Sequence, residues 1–271
     1  MDPYAHPPTP GEVGVLLSDL GLHASEIVFH REQGWANHAF LAGEFVVRFA
    51  KNVVQESDWR TEGLAHPYAS ELGIPTPTLL FHGRTRSGRA VTVVQRVIGQ
   101  TLMQHGRCKQ DVYRQFGMAL AKLHASAGPS DPERVLDVHD QDLLQVERLA
   151  VSLQPLAGEL RPYSDATGDT FVHGDATLEN LMVDDRGRIQ LIDWGDAGWA
   201  HPAYDFSALP IYGLEAAWQG YVATGGQVDV EFRRRTVALH LRFVFHPANT
   251  QVEEQAILAS DPDILRQLTK F

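Results

Sequence analysis

Cysteine is almost missing from this chain: Cys108 stands alone among 271 residues. One thiol excludes an intrachain disulfide and a zinc site built on cysteines. A reducing, cytoplasmic setting is the simplest expectation. Long apolar runs are missing too, and none approaches the roughly 20 residues that a membrane-spanning helix needs. The opening MDPYAHPPTPGEVG has no basic n-region and no apolar h-region, so no secretory signal is expected there. Positive charge is short: 23 Lys and Arg face 34 Asp and Glu, a formal net charge of -11. Nucleic-acid binders are usually basic, so no nucleic-acid partner is expected. An acidic surface is compatible with a cationic small substrate, and also with plain solubility. Internal repeats and low-complexity tracts are absent beyond the proline-rich start.

What is present reads as a globular chain, with 44% hydrophobic and 21% charged residues. Residues 11–20 have helical spacing at Val13, Leu16, Leu17 and Leu20. Three β-type runs follow, Glu26–Arg31, Ala36–Leu41 and Glu44–Ala50, the last two closed by a tight turn at Ala42-Gly43. Ser57 is the expected cap of a helix that stops at Leu72-Gly73. Strands fit Thr78–His82 and Ala90–Val97 around a polar turn. Beyond Gly99 the character changes. Asp111–Ala127 is strongly helical, and Gln141–Leu160 is expected to be helical with Pro155 limiting it. Short strands fit Phe171–Val172, Leu181–Val183 and Ile189–Ile192. From His201 onward the pattern is helical, with breaks at Gly225-Gly226, Pro247 and Pro262. A strand-rich first third followed by helices predicts an α+β fold of two lobes, 1–97 and 98–271, with a ligand cleft between them.

The chemistry concentrates in FVHGDATLENLMVDDRGRIQLIDWGDAG, residues 171–198. Asp175 and Asn180 leave the end of one short strand on a compact loop. The hairpin 181–192 then returns the chain, so Asp193 re-enters the neighbourhood of Asn180. Oxygens from Asn180 and Asp193 suit a hard octahedral cation such as Mg2+, which takes few protein ligands. Asp175 is left over, and a carboxylate beside such a centre can accept the proton of an attacking hydroxyl. Phosphoryl transfer asks for this combination of positioning and charge neutralisation. Protein kinases write it H-R-D-x-x-x-x-N followed by Asp-Phe-Gly. Here it is His173-Gly174-Asp175-x-x-x-x-Asn180, then Asp193-Trp194-Gly195.

With glycine and tryptophan at those two places, the chain resembles the aminoglycoside phosphotransferase family, small-molecule kinases with the bilobal protein-kinase-like fold. Further matches are Gly198, Asp205-Phe206, Gly117-x-x-Leu120-x-x-Leu123-His124, Val93–Gly99, and Leu72-Gly73-Ile74-Pro75-Thr76-Pro77. Together they span roughly residues 25–210 in the family's order. The resemblance implies Asp175 as the catalytic base, Asn180 and Asp193 as Mg2+ ligands, and His173 and Asp205 as braces of the loop.

It also implies that the first lobe holds the nucleotide, ATP or GTP in its place. Gly34, within Gln33–Asn37, falls on the hairpin that would cover the phosphates. Arg48 stands where protein kinases have a phosphate-holding lysine. Strand alternation sets Val46, Arg48 and Ala50 on one face and Val47, Phe49 and Lys51 on the other, which leaves Lys51 as a solvated charge. Glu62 is the best-placed partner for Arg48, because Glu56 precedes the expected helix and Glu71 ends it. The joint, Gln95 to Val97, is where adenine would dock on backbone groups.

The implied reaction moves a γ-phosphate to a hydroxyl of a small acceptor. An aminoglycoside is the namesake, and homoserine, choline, macrolides and sugars are accepted by relatives. Glu179 and Asp196, with Asp261 and Asp263, are acidic residues suited to a cationic acceptor. Two alternatives stay open: a nucleotide-binding module without transfer, and a metal-dependent hydrolase using His173, His201, Asp175 and Asp205.

Overall fold

The computed structural model describes residues 3–30, 37–105, 110–130, 146, 149–246 and 252–270. The first third forms α1 (Pro10–Asp19), the strands β1 (Ile27–Phe29), β2 (Asn37–Ala42) and β3 (Phe45–Ala50), then α2 (Glu56–Glu71), β4 (Leu79–Arg84) and β5 (Ala90–Gln95). The strands make one antiparallel sheet in the order β1-β2-β3-β5-β4. Alternation decides its faces. Val47 and Phe49 on β3 join Phe40, Val91 and Val93 in a core closed by Val13 and Leu17 of α1. The alternate residue, Arg48, is therefore turned away from that core.

The helix α1 starts as its sequence asks. Thr9 and Glu12 form a reciprocal capping box, with Pro10 in the first turn. The α2 start differs from expectation. Ser57 lies inside the helix, and its hydroxyl donates to Val54 O at 3.1 Å. The preceding turn is capped instead by Asn52, whose Oδ1 accepts from Val54 N at 2.9 Å. Glu56, the first helical residue, takes a two-pronged bond from Arg84 at 2.8 and 2.7 Å and a third from Tyr4.

After the sheet come β6 (Gln100–Thr101), α3 (Leu102–His105) and α4 (Gln110–His124). Next are α5 (Gln154–Leu160), β7 (Thr170–Val172), β8 (Leu181–Val183), β9 (Ile189–Leu191) and β10 (Gly198–Ala200). A 3-10 turn at Pro202–Phe206 leads into α6 (Ile211–Ala223), α7 (Val230–Val244), α8 (Val252–Ser260) and α9 (Asp263–Leu268). Of the helix expected over 141–160, the described residues show α5 from Gln154, where Pro155 fits the first turn and not a helix interior. Most of residues 141–148 lie outside the described residues. β6 and β10 were not expected; each finds its partner far along the chain, β8 and β7 respectively.

α4 and α6 touch at backbone distance. A Cβ on Gly117 would lie 1.8 Å from Ala217 O, and one on Gly220 would lie 2.0 Å from Arg114 O. Glycine at both places is what lets the helices meet. The core around them gathers Phe116, Leu120, Leu123, Phe206, Trp218 and Val237. Ala65 and Ala69 in the second half of α2, and Ile74 just past it, join this second core, so α2 spans both lobes. Among the described residues, no helix is long and apolar enough to cross a membrane.

Candidate active site

The loop after β7 is fixed from below by one buried carboxylate. Asp205, 1% exposed, accepts from His173 N at 2.8 Å and from Gly174 N at 2.9 Å. Its Oδ2 also lies 3.1 Å from His124 Nε2. These donors hold its carboxyl below the usual range despite full burial. Gly174 has φ +83, a conformation that disfavours the arginine protein kinases carry there. His173 is fully buried, and burial lowers its pKa, against the nearby Asp205 and Asp193. Its Nε2 faces Ile192 O at 3.1 Å and must donate, since a carbonyl only accepts. Its Nδ1 then accepts from Asp175 N at 3.3 Å. One imidazole thus ties the Asp175 backbone to the residue before Asp193.

Asn180 closes the loop. Its Nδ2 donates to Asp175 O at 3.0 Å and Asp175 Oδ2 at 2.6 Å. Its backbone oxygen accepts from Ile192 N at 2.9 Å. The hairpin between β8 and β9, in register from Leu181↔Leu191 to Val183↔Ile189, brings this about. Asp193 has φ +63, uncommon for a residue with a Cβ and a mark of a held site. Its carboxylate is 39% exposed and meets Arg48 NH1 at 3.0 Å. Asp175, Asn180 and Asp193 therefore form one cluster, as the spacing predicted.

Burial, and then the neighbouring Asp196 and Asp193, push the Asp175 carboxyl up to about 7; the Asn180 bond opposes them, and Glu179 adds to the rise. Asp196 is half-buried and Glu179 exposed. Both sit close enough to Asp175 to act on its charge. Asp263, at the start of α9, is 3.6 Å from Arg266.

On the first-lobe side, Arg48 bonds Glu62 through NH2. Glu62, 4% exposed, is held a second time by Thr92 Oγ1 at 3.2 Å. Thr92 is the β5 residue in register with Arg48. Sequence reading missed it, although a hydroxyl inside the apolar strand AVTVVQ is the available signal: a buried donor must find an acceptor. Gln95 ends β5 with its N–H committed to Thr78 O at 2.9 Å. Val97 follows the strand and is half-buried. Gly34 lies outside the described residues.

The oxygen donors fit a magnesium ion. Asn180 Nδ2 is taken up by two acceptors of Asp175, which leaves its Oδ1 as the amide atom able to hold a cation, and Asp193 has a partly exposed carboxylate that could join it. The His/Asp alternative fits poorly. His173 and Asp205 are spent on backbone groups, and His201 Nδ1 accepts from Ala203 N at 3.1 Å. Among the described residues, no group of three or more His, Cys, Asp or Glu is arranged to hold a metal.

Solved structures share this architecture. Aminoglycoside 2'-phosphotransferase-IIIa in its GDP complex is 19% identical, with 95% of this chain and 96% of that one covered and a TM-score of 0.62. Macrolide 2'-phosphotransferase from Brachybacterium faecium is 18% identical, covering 96% of each chain, with a TM-score of 0.63. Spectinomycin phosphotransferase in complex with ADP and spectinomycin is 13% identical, covering 97% and 98%, with a TM-score of 0.61. At these identities the likeness is one of fold. No curated protein sequence matches the chain. Residues 30–239, well over half of the sequence, match the model of the phosphotransferase enzyme family, and the chain belongs to that family.

Proposed function

We propose that this chain transfers the γ-phosphate of ATP, with Mg2+, to a hydroxyl of a small cationic acceptor of the aminoglycoside type. Family membership makes it a small-molecule kinase. Nucleotide, metal and acceptor are inferred from the site. In this reading residues 1–97 hold the nucleotide, and residues 98–271 hold the catalytic loop and the acceptor.

Arg48, kept in place by Glu62 and Thr92, grips the α- and β-phosphates. Adenine docks beside Gln95 and Val97, where Val97 leaves the strand. Asn180 and Asp193 would hold Mg2+, and the ion would supply neutralisation of the phosphate charge. Asp175 orients the acceptor and takes its hydroxyl proton. The acceptor oxygen bonds to the γ-phosphorus as the bond to the ADP oxygen breaks. Asp196 and Glu179, whose charges already reach Asp175, provide the field that draws a cationic acceptor. A cytoplasmic setting completes the reading, given the lone cysteine.

The observation that carries the proposal is that Asn180 bonds Asp175 through its side chain and Ile192, the residue before Asp193, through its backbone oxygen. The test is ATP consumption over a panel of hydroxyl compounds, aminoglycosides first. Asp175→Ala should lower turnover by about 10²–10⁴-fold and spare ATP binding. Unchanged turnover in that variant would overturn the assignment. Thermal stabilisation of the wild type by ATP, with no product from any acceptor, would mark a binding module instead.

A further inference from the structure

The segment Asp193-Trp194-Gly195 is held against the first lobe residue by residue. Asp193 meets Arg48 of β3 at 3.0 Å. A Cβ on Gly195 would lie 3.1 Å from Asp58 Cβ, so α2 runs directly against it. Between them, Trp194 is fully buried, with its ring centroid 4.5 Å from that of His173. Its indole N–H donates to Thr76 Oγ1 at 3.0 Å. An indole offers one donor and no acceptor, so this bond is its whole polar anchorage.

Thr76 is itself pinned from both sides. It lies in Pro75-Thr76-Pro77, between α2 and β4. Pro75 O accepts from Leu191 N at 2.8 Å, which bonds the segment to the end of β9 just before Asp193. Thr76 Oγ1 lies 3.3 Å from His66 Nε2, and that nitrogen donates to Pro77 O at 2.7 Å. His66 is 2% exposed and stands one helical turn after Glu62 on α2. A polar path therefore runs from the helix that carries Glu62, through the Thr76 hydroxyl, to the ring next to Asp193. The left-handed backbone of Asp193 depends on such surroundings, and a shift of the Trp194 ring would turn the peptide that joins them.

We propose that Thr76 is a positioning residue for Asp193, acting through the Trp194 indole. The proposal rests on the magnesium role given above to Asp193. Groups that orient a metal ligand from behind affect metal affinity by about 10–100-fold. The test is calorimetric titration of the full chain with ADP at varied Mg2+. Thr76→Val should weaken the Mg2+-dependent part of ADP binding about tenfold, leave metal-free ADP binding unchanged, and recover in Thr76→Ser. Trp194→Phe should show the same loss, and Thr76→Val should add little in that background. A Thr76→Val protein that melts earlier yet keeps the wild-type Mg2+ dependence would reduce the bond to a packing contact and overturn the proposal. If Thr76→Val does not fold, Trp194→Phe decides, because it removes the donor without stranding a buried N–H. Wild-type ADP binding with no Mg2+ dependence would remove the magnesium role and this proposal together. Wild-type dependence with unaltered variants removes this proposal alone.

Discussion

The two sides of the site are held by different kinds of bond. On the second-lobe side, backbone amides of His173 and Gly174 end on a buried carboxylate, and a buried imidazole ties Asp175 to Ile192. On the first-lobe side, one long charged side chain, Arg48, reaches Glu62 and Asp193. Asp205 is 1% exposed, whereas the Asp193 carboxylate is 39% exposed. Backbone anchored to a buried acid resists displacement. A guanidinium between two carboxylates can change partners when an anion competes for it. The loop bearing Asp175 is thus held rigidly, and the first-lobe side is left freer to adjust.

The strongest way to break this contrast is Asp205→Ala. It would strand two backbone N–H groups and His124 in the core, and should cost about 3–5 kcal/mol in urea unfolding. Asp205→Asn keeps one acceptor oxygen and should cost less. A loss under about 1 kcal/mol for Asp205→Ala would mean that the second side is no more rigid than the first.

Arg48→Lys probes the other side and should act on binding more than on stability. One ammonium cannot span Glu62 and Asp193 as two guanidinium nitrogens do. The expected result is an approximately tenfold higher KM for nucleotide, equal to about 1.4 kcal/mol, with a nearly unchanged urea midpoint. A midpoint shift as large as that of Asp205→Asn would erase the distinction.

The same contrast explains what was legible in the sequence. The second-lobe side is written in one contiguous stretch, so the spacing of Asp175, Asn180 and Asp193, given a hairpin between them, was enough to expect them near one another. Arg48 and Glu62 were legible from strand alternation and from the place of Glu62 within a helix. The partners behind Glu62 and Trp194 were not: Thr92 and Thr76 bond across the chain, and only the pairing of β3 with β5 or the path of residues 75–77 reveals them. β6 and β10 escaped for the same reason, being short and defined by distant partners. Ser57 misled because residue type alone suggested a cap, while Asn52 supplied one a turn earlier.

Acid offers the gentlest comparison, because each lobe holds a half-buried histidine kept down to a pKa of about 4. Burial is the main cause for both. Arg48 and His66 add to it for His82, and Arg235 and His124 for His201, against Glu231 and Asp229. An unfolded histidine titrates near 6.5. Below that value the unfolded state binds protons that the folded state refuses, so stability falls as pH drops from about 6.5 to 4 and is unaffected above it. Both rings are partly exposed, so each should cost about 1 kcal/mol across that window. The consequences differ by lobe. His82 stacks on Trp59 at 4.5 Å and bonds Thr92, and protonation there loosens the β5 side of Glu62. His201 accepts from Ala203 N, so its protonation removes the cap of the 3-10 turn that carries Asp205. Urea unfolding at pH 7.5 and pH 5 should show His82→Gln and His201→Gln each flattening part of the pH dependence. Asp205 passes its anchorage directly to the catalytic loop. His201→Gln should therefore also reduce the acid loss of turnover at saturating nucleotide, and His82→Gln should act on nucleotide KM. Equal effects of both variants on both parameters would show that the two sides respond as one.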